Sequence, residues 1–454
     1  MDFRHLSFLE APLIRTLPPG PLSQEYLNYQ SLHESSAVSY PKGIPMAIKR
    51  AKGATVEDVD GNIYIDFFGG AGVMNVGHSN PEVLKAAEKQ LGELTHALDF
   101  PHAPRKALIE ILLSLLPPSL NRVFFGGPSG SDAVEAAVKL AKYNTHRIPI
   151  IAFEGSYHGM SAGALSLSSG RSFKEGLLPL VPEVHYVPYA YCYRCAFGQQ
   201  RETCSLDCAQ YFEHVLEDPH SGVNEPAAVI IEAIQGEGGT IIPPPKFLPK
   251  IREICSRHGI LMIIDEVQAG LCRTGKMFAF EHTSTIPDMV TMSKALGGVG
   301  FPIACLAFRE DLDKWLPGKH IGTFRGNVMA YAAGQAALKF MLKNRLAEHA
   351  YNLGQTMLSW LKEVEKESEI IGEVRGKGLM MGIEMVKDKS SREPGPSLAK
   401  EVRRLCHRRG LLVEIGGHYF NVVRFLPPLV LTEELAIKGI EIFEEAVREV
   451  EKSR

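Results

Sequence analysis

At 454 residues with 45% hydrophobic content, the chain is long enough to bury a large core in more than one domain. Lysine plus arginine number 49 against 52 acidic residues, a formal charge of −3, and that balance argues against a nucleic-acid groove or a polybasic membrane surface. No apolar run reaches the length of a spanning helix. The N-terminus carries Asp2, Arg4 and Glu10 where a secretory signal would be apolar. The expectation is a soluble cytoplasmic protein.

Taken in chain order, residues 1 to about 45 read as irregular with some helix, because Pro12, Pro18, Pro19, Pro21, Pro41 and Pro45 interrupt them. Ala51–Asp66 predicts a hairpin, two alternating runs around Asp60-Gly61. Gly69–Gly72 follows, flexible enough to approach a ligand closely. Asn80-Pro81 is a helix start, and Val83, Ala86, Ala87 and Leu91 keep helical spacing behind it.

From about 104 to 310, helical segments alternate with short apolar runs. The predicted strands are Arg122–Phe125, Ile150–Phe153, Ala228–Ile231, Leu261–Ile264, Val290–Met292 and Ile303–Phe308. Such alternation implies crossover units and a mainly parallel sheet, an α/β fold. Beyond about 330 come helices over Met329–Asn344 and Ala347–Ser368, short strands near Gly378–Met385 and Leu411–Glu414, and a closing helix, Glu433–Lys452. Ser390–Pro396 reads as an exposed loop.

Chemistry concentrates at the ends of the predicted strands, where ligands sit in parallel sheets. Leu261–Ile264 ends at Asp265, and Val290–Met292 ends at Ser293-Lys294. A lysine there suits imine formation with an aldehyde cofactor, and a carboxylate suits holding a proton on a heterocyclic nitrogen, the pairing of a pyridoxal phosphate site. Gly126–Ala137 follows a strand and opens a helix, so Gly130 and Ser131 either hold a phosphate or simply cap the helix. Tyr157 could stack on a planar ring or pack at a strand end, with His158 as polar support. Glu232 and Glu237 are acids in a glycine-rich strand end, whereas Arg424 sits in an apolar segment and needs an anionic partner.

These pieces together carry a resemblance. Gly130-Ser131, Tyr157–Gly159, Gln235–Gly239, Asp265–Gln268, Ser293-Lys294 and Thr323–Asn327 resemble the class III pyridoxal-phosphate-dependent aminotransferases, in order, from about residue 45 to 445. The resemblance implies the type I aminotransferase fold, with a large domain over 71–335 and a small α+β domain from 336–454, to which 1–70 contributes. It implies pyridoxal 5'-phosphate as cofactor, a homodimer with shared active sites, and amino-acid and 2-oxo-acid substrates.

By the same likeness Lys294 is the cofactor-linking lysine and proton carrier, and Asp265 pairs with the ring nitrogen. Gly130 and Ser131 hold the phosphate, with Thr323 reaching in from the neighbouring subunit. Tyr157 and Val267 cover the ring faces, Gln268 approaches the phenolic oxygen, and Glu232 stands near the substrate. Glu237 and Arg424 match a pair that opens when a keto acid's carboxylate arrives. Ser131-Asp132 departs from the usual Thr-Glu, which leaves the support behind the phosphate site in question.

Thr95–Asp99, Gly126–Pro128, Tyr193–Gly198, Gly318–Asn327 and Val423–Pro428 are similar to diaminobutyrate–2-oxoglutarate aminotransferases. Ornithine or 4-aminobutyrate transamination, amino-acid racemisation and non-catalytic ligand binding are the alternatives. Cys192, Cys195, Cys204 and Cys208 fall in one insert that could hold zinc, form a disulfide or stay reduced.

Overall fold

The computed structural model describes residues 2–454. Its organising element is a seven-stranded sheet drawn from the middle of the chain. Strands β1 (Ile48–Lys52), β2 (Thr55–Asp58) and β3 (Ile63–Asp66) precede it. The sheet comprises β4 (Arg122–Phe125), β5 (Ile150–Phe153), β6 (Val184–Val187), β7 (Ala228–Ile231), β8 (Leu261–Asp265), β9 (Met289–Met292) and β10 (Cys305–Phe308), in the order β4-β10-β9-β8-β7-β5-β6.

The predicted strands are all present, with small shifts at their ends. Asp265 extends β8, and β10 begins at Cys305, two residues later than expected. Sequence reading missed β6, an edge strand of Val184, His185, Tyr186 and Val187 that is only partly buried and so lacks a continuous apolar run. Adjacent pairs among β5 to β9 are parallel, but β10 runs antiparallel to both β9 and β4. The link from β9 to β10 holds only a single 3-10 turn, Lys294–Gly297, too short for a crossover, so the chain must return antiparallel.

Alternation along the strands builds two apolar layers. Ile151, Val229, Met262, Ile264 and Val290 enter one core, while Ile150, Ala228, Ile230, Ile263 and Met289 enter the other with Val134, Ala137 and Leu140 of the helix Gly130–Thr145. Each such Ile or Val stabilises the fold by roughly 1.5–3 kcal/mol when fully buried.

The rest of the chain forms two smaller sheets. After β11 (Ile371–Lys377), β12 (Met380–Asp388) and β13 (Glu393–Pro394) come β14 (Leu411–Leu412), β15 (Glu414–Gly416) and β16 (Val422–Phe425). β14 lies parallel to β3, pairing Leu411 with Ile65, so both ends of the chain share the sheet β1-β2-β3-β14. The antiparallel sheet β11-β12-β16-β15 brings Arg424 inward. The expected hairpin is β2–β3, with β1 added on its outer edge, and Asp58 Oδ1 accepts the Asp60 and Asn62 N–H groups at 2.9 Å in its turn.

Helix ends follow the sequence closely. The Asn80 side chain accepts the Glu82 and Val83 N–H groups ahead of Pro81–Leu91, and Thr432 accepts the Leu435 N–H ahead of Glu433–Lys452. Within Ser390–Pro396, exposed at Ser390–Glu393, two residues pair as β13 with β12, and Pro396 already opens a helix. Among the described residues, no helix is long and apolar enough to cross a membrane.

Candidate active site

A cavity of about 180 Å³ opens beyond the carboxyl ends of β5, β7, β8 and β9. Gly130, Ser131, Tyr157, Glu232, Glu237, Asp265, Val267, Gln268 and Lys294, each singled out from sequence, line it together with His158 and Gly159. The sheet explains the convergence: Asp265 ends β8 in register with Thr291 of β9, so Lys294 emerges beside it three residues later.

Asp265 is 4% exposed, and three hydrogen bonds fix its carboxylate. His158 Nδ1 lies 2.7 Å from Oδ2, while Oδ1 accepts the Val267 N–H at 3.0 Å and the Thr291 hydroxyl at 3.1 Å. Because an ionised carboxylate only accepts, the His158 proton sits on Nδ1. Its Nε2 is buried without a protein partner. The Thr291 contact had no sequence signal beyond the even spacing from Ser293. His158 was visible only as generic polar support.

Lys294 has φ of 42°, a left-handed backbone that a lysine rarely adopts and that a neighbouring structure must impose. Burial lowers its amine below the ordinary lysine value, which favours a nucleophilic free base. Burial also pushes the Glu232 carboxyl up to about 7, so this acid is part-protonated near neutrality. Its two oxygens accept the Gly236 N–H at 3.0 Å and the Tyr157 N–H at 3.3 Å. The Tyr157 ring stands edge-on to Phe173 at 5.3 Å.

Behind Glu237, Arg424, 2% exposed, makes a two-pronged ion pair with it, Nη1 to Oε1 at 3.0 Å and Nη2 to Oε2 at 2.8 Å. Burial raises the Glu237 carboxyl, but the Arg424 guanidinium, the Lys294 amine and the Gln268 hydrogen bond together outweigh it and hold the group below the usual carboxylate value. Gln268 Nε2 donates to Glu237 Oε1 at 3.2 Å and to the Ala71 carbonyl at 3.3 Å, tying the glycine-rich stretch Gly69–Gly72 to the site. Arg424 lies behind Glu237 and does not itself line the cavity.

The helix Gly130–Thr145 starts at the cavity, its N-cap Ser129 accepting the Asp132 N–H. Asp132 in turn accepts the Gly127 N–H and meets His320 Nε2 at 3.0 Å, so aspartate at this position braces the turn before the helix. Thr323 is placed elsewhere: it is exposed, on the 3-10 turn Thr323–Gly326, and outside the cavity of its own chain.

The lining fits pyridoxal phosphate. It offers an amine for an aldehyde, a braced carboxylate for a ring nitrogen, and a helix N-terminus with a serine hydroxyl for a phosphate. Two missing side chains keep the cradle open. A Cβ at Gly130 would lie 2.9 Å from Val267 Cγ1, and one at Gly159 would lie 2.0 Å from Ser131 Oγ.

The four-cysteine insert is separate from this cavity. All four thiols are free, and no three of them lie within 4.8 Å of one another. Cys204 Sγ accepts the Leu206 N–H at 3.2 Å, and Cys208 is buried on the helix Asp207–Glu217. Among the described residues, one group of three metal-ligating types does converge, Glu213, Glu217 and His258 on the surface.

Residues 36–447 match the family model for aminotransferase class III. The chain is 45% identical over 433 residues to a diaminobutyrate–2-oxoglutarate aminotransferase of Haemophilus influenzae, covering 94% of this chain and 95% of that one. It is 35% identical to an alanine/serine racemase of Pyrococcus horikoshii, covering 97% and 94%. A PLP-bound amine transaminase from an uncultivated Pseudomonas species superposes with a TM-score of 0.84 at 28% identity, covering 92% of this chain and 98% of that one. With the matched model spanning nearly the whole chain and a lysine, an acid and a phosphate cradle meeting in one cavity, the chain belongs to the class III aminotransferases and is a pyridoxal-phosphate-dependent transaminase.

Proposed function

We propose that the enzyme moves the terminal amino group of L-2,4-diaminobutyrate to 2-oxoglutarate, releasing aspartate 4-semialdehyde and glutamate, and runs the reverse transfer. The observation that carries this reading is the Glu237–Arg424 pair at the cavity wall. A transaminase using a diamino donor and a dicarboxylic acceptor must accept an ammonium-bearing chain and then a second carboxylate in one space. A buried arginine that an acid covers in one stage and uncovers in the next meets both demands. Similarity to the Haemophilus influenzae aminotransferase supports the choice of substrates.

Pyridoxal phosphate supplies the electron sink that lets a proton leave the amine-bearing carbon. Lys294 Nζ would take that proton from C4 of the donor and hold it for return, a role its lowered pKa favours. Asp265 would hold a proton on the ring nitrogen, with His158, Val267 N–H and Thr291 keeping the carboxylate oriented. Gly130 and Ser131 would hold the phosphate, Tyr157 and Val267 would serve the ring, and Gln268 its phenolic oxygen. Glu232 stands at the substrate end. In the acceptor stage Glu237 turns from Arg424, and the guanidinium binds a carboxylate of the keto acid.

The domain division falls near residues 70 and 335. The seven-stranded sheet lies wholly inside 122–308, and the two smaller sheets draw on 48–66 and 371–425. The working unit is a homodimer in which Thr323 completes the partner's phosphate site. Support comes from the exposed apolar side chains around it: Phe324 at 71%, Ile321 and Phe100 at 70%. Such a patch is unusual on a lone monomer. Eight unpaired cysteines suit a reducing compartment, and the cytoplasm is its place.

Incubation of the enzyme with diaminobutyrate and 2-oxoglutarate tests the activity. Glutamate and a semialdehyde should accumulate in equal amounts. Loss of optical rotation from an amino acid without any keto acid, and no glutamate, would make it a racemase instead.

A further inference from the structure

We propose that Arg171 and Glu154 clamp the α-amino-acid end of the donor, a specificity site that rests on the diaminobutyrate reading above. A groove of about 660 Å³ adjoins the cavity and shares Glu237 with it. Glu154, Arg171 and Phe173 line it from the large sheet's side, and His418 and Tyr419 from the loop after β15.

The charges decide what this groove accepts. In this structure Glu237 covers the Arg424 guanidinium at 2.8 and 3.0 Å, the arrangement the donor stage keeps. The donor's carboxylate therefore needs another cation. Arg171 is the one lysine or arginine lining the groove. It is exposed and engaged in no ion pair among the described residues, and the same holds for Glu154. The facing loop adds two titratable side chains, His418 and Tyr419, and the His418 ring packs 5.2 Å from Tyr191.

One free cation and one free acid are what an α-carbon bearing both carboxylate and ammonium requires. A donor such as 4-aminobutyrate has the carboxylate alone, so Glu154 separates the two. Phe173 joins this wall to the cavity through its edge contact with Tyr157.

Half-reactions followed by the cofactor's absorbance change, with donor and acceptor varied separately, test the clamp. In Arg171→Gln the specificity constant for diaminobutyrate should fall about tenfold through KM, the size of one partly solvated charge-assisted contact. Glu154→Gln should lose most of the preference for diaminobutyrate over 4-aminobutyrate. An unchanged KM for diaminobutyrate in Arg171→Gln together with an unchanged donor preference in Glu154→Gln would overturn the clamp while leaving the substrate reading intact. A wild-type enzyme inert toward diaminobutyrate would overturn that reading, and the clamp with it, before any variant is made.

Discussion

Arg424 is the residue whose chemistry is most open to measurement, because burial removes the water that would otherwise share its charge. Arg424→Ala should slow the 2-oxoglutarate half-reaction about 100-fold, from roughly 3 kcal/mol for a buried charge-assisted pair. The donor half-reaction should suffer less. The substitution also removes the strongest of the influences that lower Glu237, leaving Lys294 and Gln268 to oppose burial, so its pKa should rise. A group with a depressed pKa is charged, and its pairing intact, above that pKa, and the pairing is lost as pH falls through it. The acid limb of the donor half-reaction should therefore move to higher pH in Arg424→Ala. An unmoved limb together with an untouched 2-oxoglutarate rate would remove Arg424 from the mechanism.

At this same scale, residue types at strand ends made Lys294, Asp265 and Glu237 legible in the sequence, since a charge closing a buried strand has few other places to go. What stayed hidden was the pairing of Asp265 with His158, 107 positions away. Arg424 meets Glu237 from 187 positions away, a pair expected from the family resemblance and not from the residue pattern alone. Single-chain patterns cannot rank one candidate partner over another at such separations.

For the elements, legibility tracked burial. β5, β7, β8, β9 and β10 are buried at every position, and their apolar runs stand out from the flanking polar residues. β6 and β11 were missed for the opposite reason, whereas β16 was missed although buried throughout, because Arg424 interrupts its short apolar run. β6 is half-buried at the sheet edge, and β11, Ile371–Lys377, mixes Glu373, Arg375 and Lys377 with apolar residues. Arg375 is nonetheless buried, bonded to Glu384 of β12 and to the Gly239 carbonyl, so its charge is a structural link to the stretch that carries Glu237. Helix limits were read to within a residue where a cap announced them, as at Asn80 and Thr432. The antiparallel turn of β10 could be read only from the short link behind Lys294 once the strands were placed.

Over the whole molecule, the meeting of β3 with β14 shows why the two chain ends read as one unit only in three dimensions: Ile65 and Leu411 are partners far apart in sequence. The exposed patch of Phe100, Ile321 and Phe324 concerns a second chain, and so lies beyond any single-chain pattern. Sedimentation velocity should find a dimer, and Phe324→Asp should weaken it and lower cofactor retention together. A wild-type monomer with full activity would contradict the shared site. A covalent link joins one amine of the enzyme to the cofactor aldehyde. Borohydride reduction of the pyridoxal-phosphate-loaded enzyme, followed by peptide mass mapping, measures it directly: a phosphopyridoxyl group should appear on the peptide carrying Lys294. A label on another lysine, or none on a fully loaded protein, would contradict it.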